Sequence, residues 1–151
     1  PYELWAQQKY LTPTEGNATD YQFVINKIVE LSKDYNIETI ATDRWNSTFL
    51  TNKLMEEGFN VTAHGQGFAS LSGPTKGFET CILNQNIVHD NNPILRWCIS
   101  NVVLQIDPAG NVKPNKAKSR ERIDCVVAAI MAFSACSAAN HNSGAMDVSW
   151  I

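Results

Sequence analysis

The feature that most constrains the fold is a strand–helix–strand pattern over residues 37–64. A short run rich in β-branched residues, 37–42, ends at Asp43 and is typical of a buried strand. A helical spacing of apolar residues then stops at Gly58, and apolar and polar residues alternate over 59–64 as in a second strand. Two consecutive strands joined by a helix form a parallel, right-handed crossover. The pattern therefore predicts an α/β fold.

Asp43 lies where the first of these strands ends. In an α/β sheet the carboxyl ends of the strands open onto the crevice that binds ligands, so a carboxylate at this position indicates chemistry. The alternative is that Asp43 caps the helix that follows it. Position alone does not separate the two interpretations.

Two further polar residues are secondary candidates for the site. Asp20 precedes an amphipathic helix and is predicted to cap it, with contact to a substrate as the alternative. His89 ends a short edge strand predicted over residues 87–89. A single His near a strand end more often makes a structural hydrogen bond than binds a ligand, and the same applies to His64 and His141.

The middle of the chain contains a glycine-rich segment, residues 65–74. It lacks the Gly-Lys-Ser or Gly-Lys-Thr ending of a phosphate-binding loop, so we predict no nucleotide site there. Ser72 or Thr75 is predicted to cap a helix that runs to about Asn86. Pro93 suits the first turn of the next helix.

Positive charge is concentrated after a predicted turn at residues 107–111. We call this segment the basic strip, and its members are Lys113, Lys116, Lys118, Arg120 and Arg122. Dense positive charge is typical of surfaces that bind phosphate groups, although a solvated loop is the alternative. The strip runs directly into a second carboxylate, Asp124.

Asp124 begins the most apolar helix of the chain, which is rich in alanine. We predict Ser119 as its cap, which places Asp124 early in the helix, where the macrodipole stabilises an acid by ~0.3–1 kcal/mol. The functional alternative is a metal-binding carboxylate. Residues 140–151 are expected to form a flexible tail.

The length and net charge of the chain limit its number of domains and its possible partners. The chain has 151 residues, within the range of one domain, and we predict a single domain over residues 1–139. A net charge of −3 argues against a wholly basic nucleic-acid coat but allows a local basic surface.

The cysteines and the chain ends suggest a compartment. The four cysteines lack metal-site spacing and are predicted to be buried thiols in a reducing compartment. No apolar run is long enough to cross a membrane, so we expect a soluble, cytoplasmic protein. The first residue is not Met, which suggests a fragment of a longer chain.

Several segments, in order along the chain, resemble the C-terminal nuclease domain of the tailed-phage terminase large subunit. They are Thr-Asp-Arg-Trp at 42–45, Gln-Gly-Phe at 66–68, Ser-Gly-Pro-Thr at 72–75, the segment 89–97, Asn-Val-Val at 101–103, Lys-Pro-Asn-Lys at 113–116 and Ser-Arg-Glu-Arg-Ile-Asp at 119–124. Each segment is short, and their shared order and spacing carry the resemblance.

The resemblance implies a ribonuclease-H-like fold, with a mixed sheet flanked by helices. In that family three acids hold two divalent ions, Mg²⁺ or Mn²⁺, for phosphodiester hydrolysis. Asp43 and Asp124 match the second and third acids, and we expect their carboxyl groups to lie within about 8 Å of each other. The first acid is expected on a strand that precedes Pro1, so the domain is expected to lack one or more N-terminal strands and to cut DNA poorly alone.

The resemblance also implies the remaining partners. The substrate would be concatemeric double-stranded DNA, cut in the host cytoplasm during phage packaging, with no membrane involved. In the full-length protein the partners would be an N-terminal ATPase domain, the terminase small subunit and the portal. The side chains expected to contact DNA phosphates without reading sequence are Lys116, Lys118, Arg120 and Arg122.

Two alternatives to this function stay open. The chain could be a non-catalytic module that docks DNA or a packaging protein, in which case the acids are helix caps. It could also be another ribonuclease-H-like nuclease, such as a resolvase or an integrase.

Overall fold

The computed structural model describes residues 1–45 and 47–143. The chain divides into two compact units, one of residues 1–64 and one that begins at Gly65. Each unit contains one two-stranded sheet and its own buried core. The prediction of one domain over residues 1–139 stays a prediction.

The first unit is built around a parallel strand pair. Its elements are α1 (Tyr2–Gln7), α2 (Tyr21–Leu31), β1 (Ile40–Asp43), α3 (Thr48–Glu56) and β2 (Val61–His64). Ile40 lies opposite Val61, and Asp43 lies opposite His64. The predicted parallel pairing across a helix is confirmed, although β1 begins at Ile40 rather than at residue 37 and β2 at Val61 rather than at residue 59.

A small apolar core holds this unit together. Ile25 of α2, Leu54 of α3 and Val61 of β2 are buried against one another. Gly58 ends α3 with a φ of +91°, a conformation that glycine adopts without steric cost. Asp20 accepts a hydrogen bond from the Phe23 N–H at 3.0 Å, which confirms it as the cap of α2.

The second unit combines three helices with an antiparallel hairpin in its described residues. Its elements are α4 (Phe68–Leu83), α5 (Pro93–Asn101), β3 (Leu104–Ile106), β4 (Val112–Pro114) and α6 (Asp124–Ser143). Leu104 lies opposite Pro114 in the hairpin. Asn92 caps α5 immediately before Pro93, as the sequence predicted for the start of this helix.

The core of the second unit lies where α4 and α5 pack on α6. Leu71, Cys98, Val126 and Ile130 are its buried members. Val126 and Ile130 are the α6 residues in this core, so the apolar helix predicted from the sequence is confirmed.

The predicted start of α4 is wrong. The helix begins at Phe68, so Ser72 and Thr75 lie buried inside it and do not cap it. Pro74 also lies inside the helix, at a position where proline normally interrupts the backbone hydrogen bonds. Burial of the Leu71 face outweighs this local cost, and Ser72 Oγ instead accepts a hydrogen bond from the Val112 N–H at 3.1 Å.

Two smaller predictions for this unit are also wrong. Residues 87–89 form no strand, because they pair with none of the described strands, and His89 Nδ1 accepts a hydrogen bond from the Asn91 N–H at 2.9 Å. Ser119 does not cap α6, since its hydroxyl accepts from the Val103 N–H at 3.1 Å and donates to the Asn115 carbonyl at 2.7 Å. Helix α6 begins directly at Asp124.

The cysteines and the C-terminal residues differ in part from expectation. All four thiols are free, but Cys98 is buried whereas Cys125 is exposed, because the first turn of α6 presents residues 124 and 125 to solvent. Helix α6 continues to Ser143 and so includes the first residues of the segment expected to be a tail. The rest of that segment, 144–151, lies outside the described residues. No helix in the described part of the chain is long and apolar enough to span a membrane.

Candidate functional site

Asp43 is the last residue of β1, and its side chain is exposed. Its Oδ1 accepts a hydrogen bond from the Trp45 N–H at 3.0 Å, and its carbonyl accepts one from the Ser47 hydroxyl. The cap position of α3 belongs to Ser47 and not to Asp43. Capping of the following helix therefore does not account for this carboxylate.

His64 lies beside Asp43 at the same end of the strand pair. The two residues are direct partners in the parallel register, and the Arg44 N–H donates to the His64 carbonyl at 3.0 Å. The sequence favoured a structural hydrogen bond over ligand binding for His64. Its position at the end of the second strand of the crossover is the signal that places it next to Asp43.

Asp124 is the first residue of α6 and forms an ion pair with a member of the basic strip. Lys116 Nζ lies 2.5 Å from Asp124 Oδ1, and the two side chains are 63% and 61% exposed. A pair this exposed contributes roughly 0–1 kcal/mol to stability, because water and salt screen it. Its importance is chemical, since it places an ammonium group on the carboxylate.

The loop between β4 and α6 is held by hydrogen bonds centred on Asn115. Its Oδ1 accepts from the N–H groups of Ala117 and Lys118 at 3.0 and 3.1 Å. Its Nδ2 donates to Gln105 Oε1 at 3.1 Å, and Ser119 Oγ binds its carbonyl. The backbone that presents Lys116 is therefore fixed on both sides of that residue.

The basic strip falls into two groups. Lys113 is half-buried, donates to the Gln66 carbonyl at 3.2 Å and lies 5.2 Å from the centroid of the Phe68 ring. Lys113 and Lys116 thus have partners inside the protein. The remaining members are exposed, and their side chains have no ion pair within the described residues: Lys118, Arg120 and Arg122.

The thiol of Cys125, next to Asp124, has low reactivity. Although most of the residue is exposed, partial burial of its thiol, followed by the neighbouring Cys98 thiol and the Asp124 charge, raises its pKa to about 11. The thiol is therefore protonated at neutral pH. A protonated thiol is a poor nucleophile.

The two secondary candidates have local structural roles. Asp20 caps α2, and His89 accepts a hydrogen bond from a backbone N–H two residues further on. Both side chains are exposed, so neither contact removes them from solvent.

The donor chemistry of the two carboxylates fits a hard divalent ion. Each acid uses Oδ1 in a protein contact, and neither Oδ2 has a partner among the described residues. Carboxylate oxygens are the ligands that Mg²⁺ takes, usually together with water. Within the described residues no group of three or more His, Cys, Asp or Glu side chains is assembled for a metal. Asp43 and Asp124 belong to different units, and the expected approach of their carboxyl groups stays a prediction.

Exposed carboxylates and a basic loop are the residue types that bind hard divalent ions and phosphate groups. The chain belongs to the family described as "Terminase large subunit, endonuclease domain", whose model matches residues 1–140. The tailed-phage terminase resemblance is thereby confirmed.

Individual relatives agree with the family match. The chain is 33% identical over 137 residues to the terminase large subunit of Enterobacteria phage HK97, which covers 89% of this chain and 27% of that protein. It is 32% identical over 133 residues to protein YmfN of Escherichia coli K12, which covers 87% of this chain and 29% of that protein. The chain therefore spans less than a third of the length of these relatives.

A solved structure shows the same fold. The crystal structure of the HK97 large terminase matches with a TM-score of 0.83 and 33% identity, over 89% of this chain and 29% of the HK97 chain. The predicted α/β fold class is confirmed by this likeness.

Proposed function

We propose that this chain is the divalent-metal-dependent endonuclease part of a terminase that packages phage DNA. Its substrate is concatemeric double-stranded DNA, and its reaction is hydrolysis of a phosphodiester bond. The observation that carries the proposal is the match of residues 1–140 to the terminase endonuclease domain.

The proposed ligands of Mg²⁺ or Mn²⁺ are Asp43 and Asp124. Two such ions, when bound, supply an activated water and stabilise the leaving oxygen. The protein's contribution at Asp43 is orientation, because the Trp45 N–H holds Oδ1 and leaves Oδ2 directed away from that contact. At Asp124 the start of α6 adds the positive end of a helix dipole, which stabilises the ionised carboxylate.

The basic strip supplies contacts to the DNA backbone in this proposal. Lys118, Arg120 and Arg122 are exposed and have no protein ion pair in the described part of the chain, so their charges are available to phosphates. Such contacts position DNA without reading its sequence. The ATPase domain, the small subunit and the portal are the partners that a terminase large subunit implies, and they are part of the same proposal.

A second candidate function is a non-catalytic docking module. The ion pair between Lys116 and Asp124 favours it, because Asp124 already has a protein cation as its partner. The two candidates differ in one respect that can be measured, which is whether substitution of the acids removes metal-dependent cleavage.

The experiment that tests the proposal is nicking of supercoiled plasmid with Mn²⁺ or Mg²⁺, by the 151-residue chain and by the complete polypeptide that its gene encodes. We expect the 151-residue chain to cut poorly or not at all and the complete polypeptide to cut, and EDTA should abolish this cleavage. Asp43→Ala and Asp124→Ala should each lower it by at least about 100-fold, since even indirect supports of metal ligands contribute 10–100-fold.

Two matched controls test whether the loss of any exposed carboxylate has the same effect as the loss of Asp43 or Asp124. Asp34→Ala and Glu121→Ala each remove one exposed carboxylate from the same two units, and both should cleave as the unmodified protein does. Equal thermal melting of all four variants excludes unfolding as the cause. Cleavage that survives Asp43→Ala, or that needs no divalent ion, would show that the proposed site is wrong.

A further inference from the structure

Lys116 is the one member of the basic strip that contacts a proposed metal ligand in the described residues. Its Nζ lies 2.5 Å from Asp124 Oδ1, within hydrogen-bond distance, and both groups remain open to solvent. An ammonium group thus stands on the carboxylate that the proposed function assigns to a divalent ion.

The loop is built to present this lysine. Pro114 is buried before it, and the Asn115 side chain holds the N–H groups of Ala117 and Lys118 after it. Ser119 closes the segment by donating to the Asn115 carbonyl at 2.7 Å. The backbone on both sides of Lys116 is fixed, while the lysine stem is flexible and exposed, so its ammonium group can move without a change in the loop.

The Asp124 carboxylate can hold either the ammonium group or a divalent ion, so the two cations compete for it. The two cations repel each other at contact distance, and the side chain with the flexible stem is the one that can leave. When Lys116 leaves Asp124, it joins the exposed cations that follow it in the strip: Lys118, Arg120 and Arg122.

We infer that Lys116 is an exchangeable counter-cation of Asp124, which yields to the divalent ion and then becomes available to DNA phosphate. This inference rests on the proposed function and adds to it a coupling between metal binding and DNA binding. Lys116 is a positioning residue in this scheme, because it acts through Asp124 and through the phosphate backbone.

The first test measures Mn²⁺ binding to the full 151-residue chain, from the electron paramagnetic resonance signal of free Mn²⁺. Lys116→Ala removes the competitor and should tighten Mn²⁺ binding roughly two- to fivefold, the range expected for release of an exposed ion pair. Lys118→Ala, which removes the same charge two residues away, should change it less than Lys116→Ala does. Unchanged or weaker binding by Lys116→Ala would overturn the inference.

The second test measures the salt dependence of DNA binding with EDTA and with Ca²⁺, used as a divalent ion in place of Mg²⁺. With EDTA, Lys116→Ala should leave the slope against log salt unchanged, whereas Lys118→Ala should reduce it by about one unit. With Ca²⁺, both variants should reduce it by about one unit. A Lys116→Ala slope that is the same with EDTA and with Ca²⁺ contradicts the exchange.

Asp124→Ala distinguishes failure of the inference from failure of the proposed function. If Asp124→Ala binds Mn²⁺ as the unmodified chain does, Asp124 is not a metal ligand and both are wrong. If Asp124→Ala loses binding while Lys116→Ala has no effect, the metal site stands and only the exchange is wrong.

Discussion

The two proposed ligands, Asp43 and Asp124, are held by opposite kinds of contact. Asp43 ends a strand and receives a hydrogen bond from a neutral backbone N–H at 3.0 Å. Asp124 begins a helix and receives a charged ammonium group from a loop eight residues earlier. The first contact depends on local geometry, whereas the second is an exposed ion pair that salt screens. A backbone N–H therefore holds Asp43, whereas the charge of a lysine holds Asp124.

The supports beneath the two acids differ as well. β1 is paired with β2, whose Val61 belongs to the apolar core that also includes Leu54. α6 packs on α4, where Phe133 lies beside Gly77 and 6.0 Å from Phe78, centroid to centroid. Two substitutions probe these supports and a third probes the turn between β3 and β4, in order of decreasing effect.

The largest effect is expected from Leu54→Ala in the first unit. Leu54 is completely buried, so its truncation leaves a cavity and should cost about 2–5 kcal/mol of unfolding free energy. Thermal and urea denaturation measure this loss. The control is Met55→Ala on the next residue of α3, which is 52% exposed and should change stability by less than about 1 kcal/mol. Equal losses for the two variants would show that the core beneath β1 and β2 is misassigned.

A smaller effect is expected from Gly77→Ala in α4. The added Cβ would lie 2.9 Å from Phe133 Cε1, closer than such contacts occur, so the packing of α4 on α6 must shift. We expect a loss of about 1–3 kcal/mol, as for other overpacked cores.

Gly73→Ala is the matched control in the same helix. A Cβ there meets nothing within 4 Å outside its own stretch of α4. The lower flexibility of the unfolded chain favours alanine, whereas Pro74 disfavours a Cβ on the residue before it, so the variant should change stability by less than about 1 kcal/mol. A larger loss for Gly77→Ala than for Gly73→Ala, measured by denaturant unfolding, is the expected result, and a gain at Gly77 would contradict the close contact with Phe133.

The smallest effect is expected at Asp107, in the hairpin turn that leads towards Lys116. Hydrogen bonds from the Asn111 side chain and backbone, and then from the Ala109 N–H, lower the pKa of Asp107. Because the folded-state pKa is the lower one, its stabilising effect is present above the unfolded-state pKa of about 3.9 and is lost as pH falls through the folded value.

Thermal melting between acid and neutral pH measures this effect. Asp107→Asn should melt a few degrees lower than the unmodified chain at pH 6, and the gap should close as the pH falls below about 3.9. A gap that persists unchanged in acid would assign the loss to the altered shape of the turn and not to the charge.

The sequence predicted the parts of the fold that depend on local pattern. The crossover from β1 to β2 followed from alternation and helical spacing, and the cap at Asp20 followed from its place before an amphipathic helix. The start of α5 at Pro93 was also predictable, because proline in the first turn of a helix costs no hydrogen bond. In these cases short-range preference and tertiary packing agree.

The failures came where distant contacts outweigh local signals. Gly73 and Pro74 predicted a loop, yet α4 runs through them because its buried residues pack on the rest of the second unit. Ser119 suits a helix cap, yet its hydroxyl is used between β3 and the loop. No residue pattern showed these partners.

The site was predictable as a set of residues and not as a set of contacts. Asp43 and Asp124 stand out because each begins or ends an element, which is visible in the sequence. The pairing of Lys116 with Asp124 was not predicted, since the sequence does not distinguish one exposed lysine of the strip from its neighbours. Whether both acids serve one metal site stays a prediction.

The Asn115-centred loop has a consequence for how this surface can change over time. Its hydrogen bonds run through backbone groups and through the side chains of Asn115 and Ser119, and none of them uses the side chain of Lys118, Arg120 or Arg122. Replacing those three residues therefore alters charge without altering architecture. Drift or selection can adjust how strongly the surface attracts a polyanion while the loop keeps its shape.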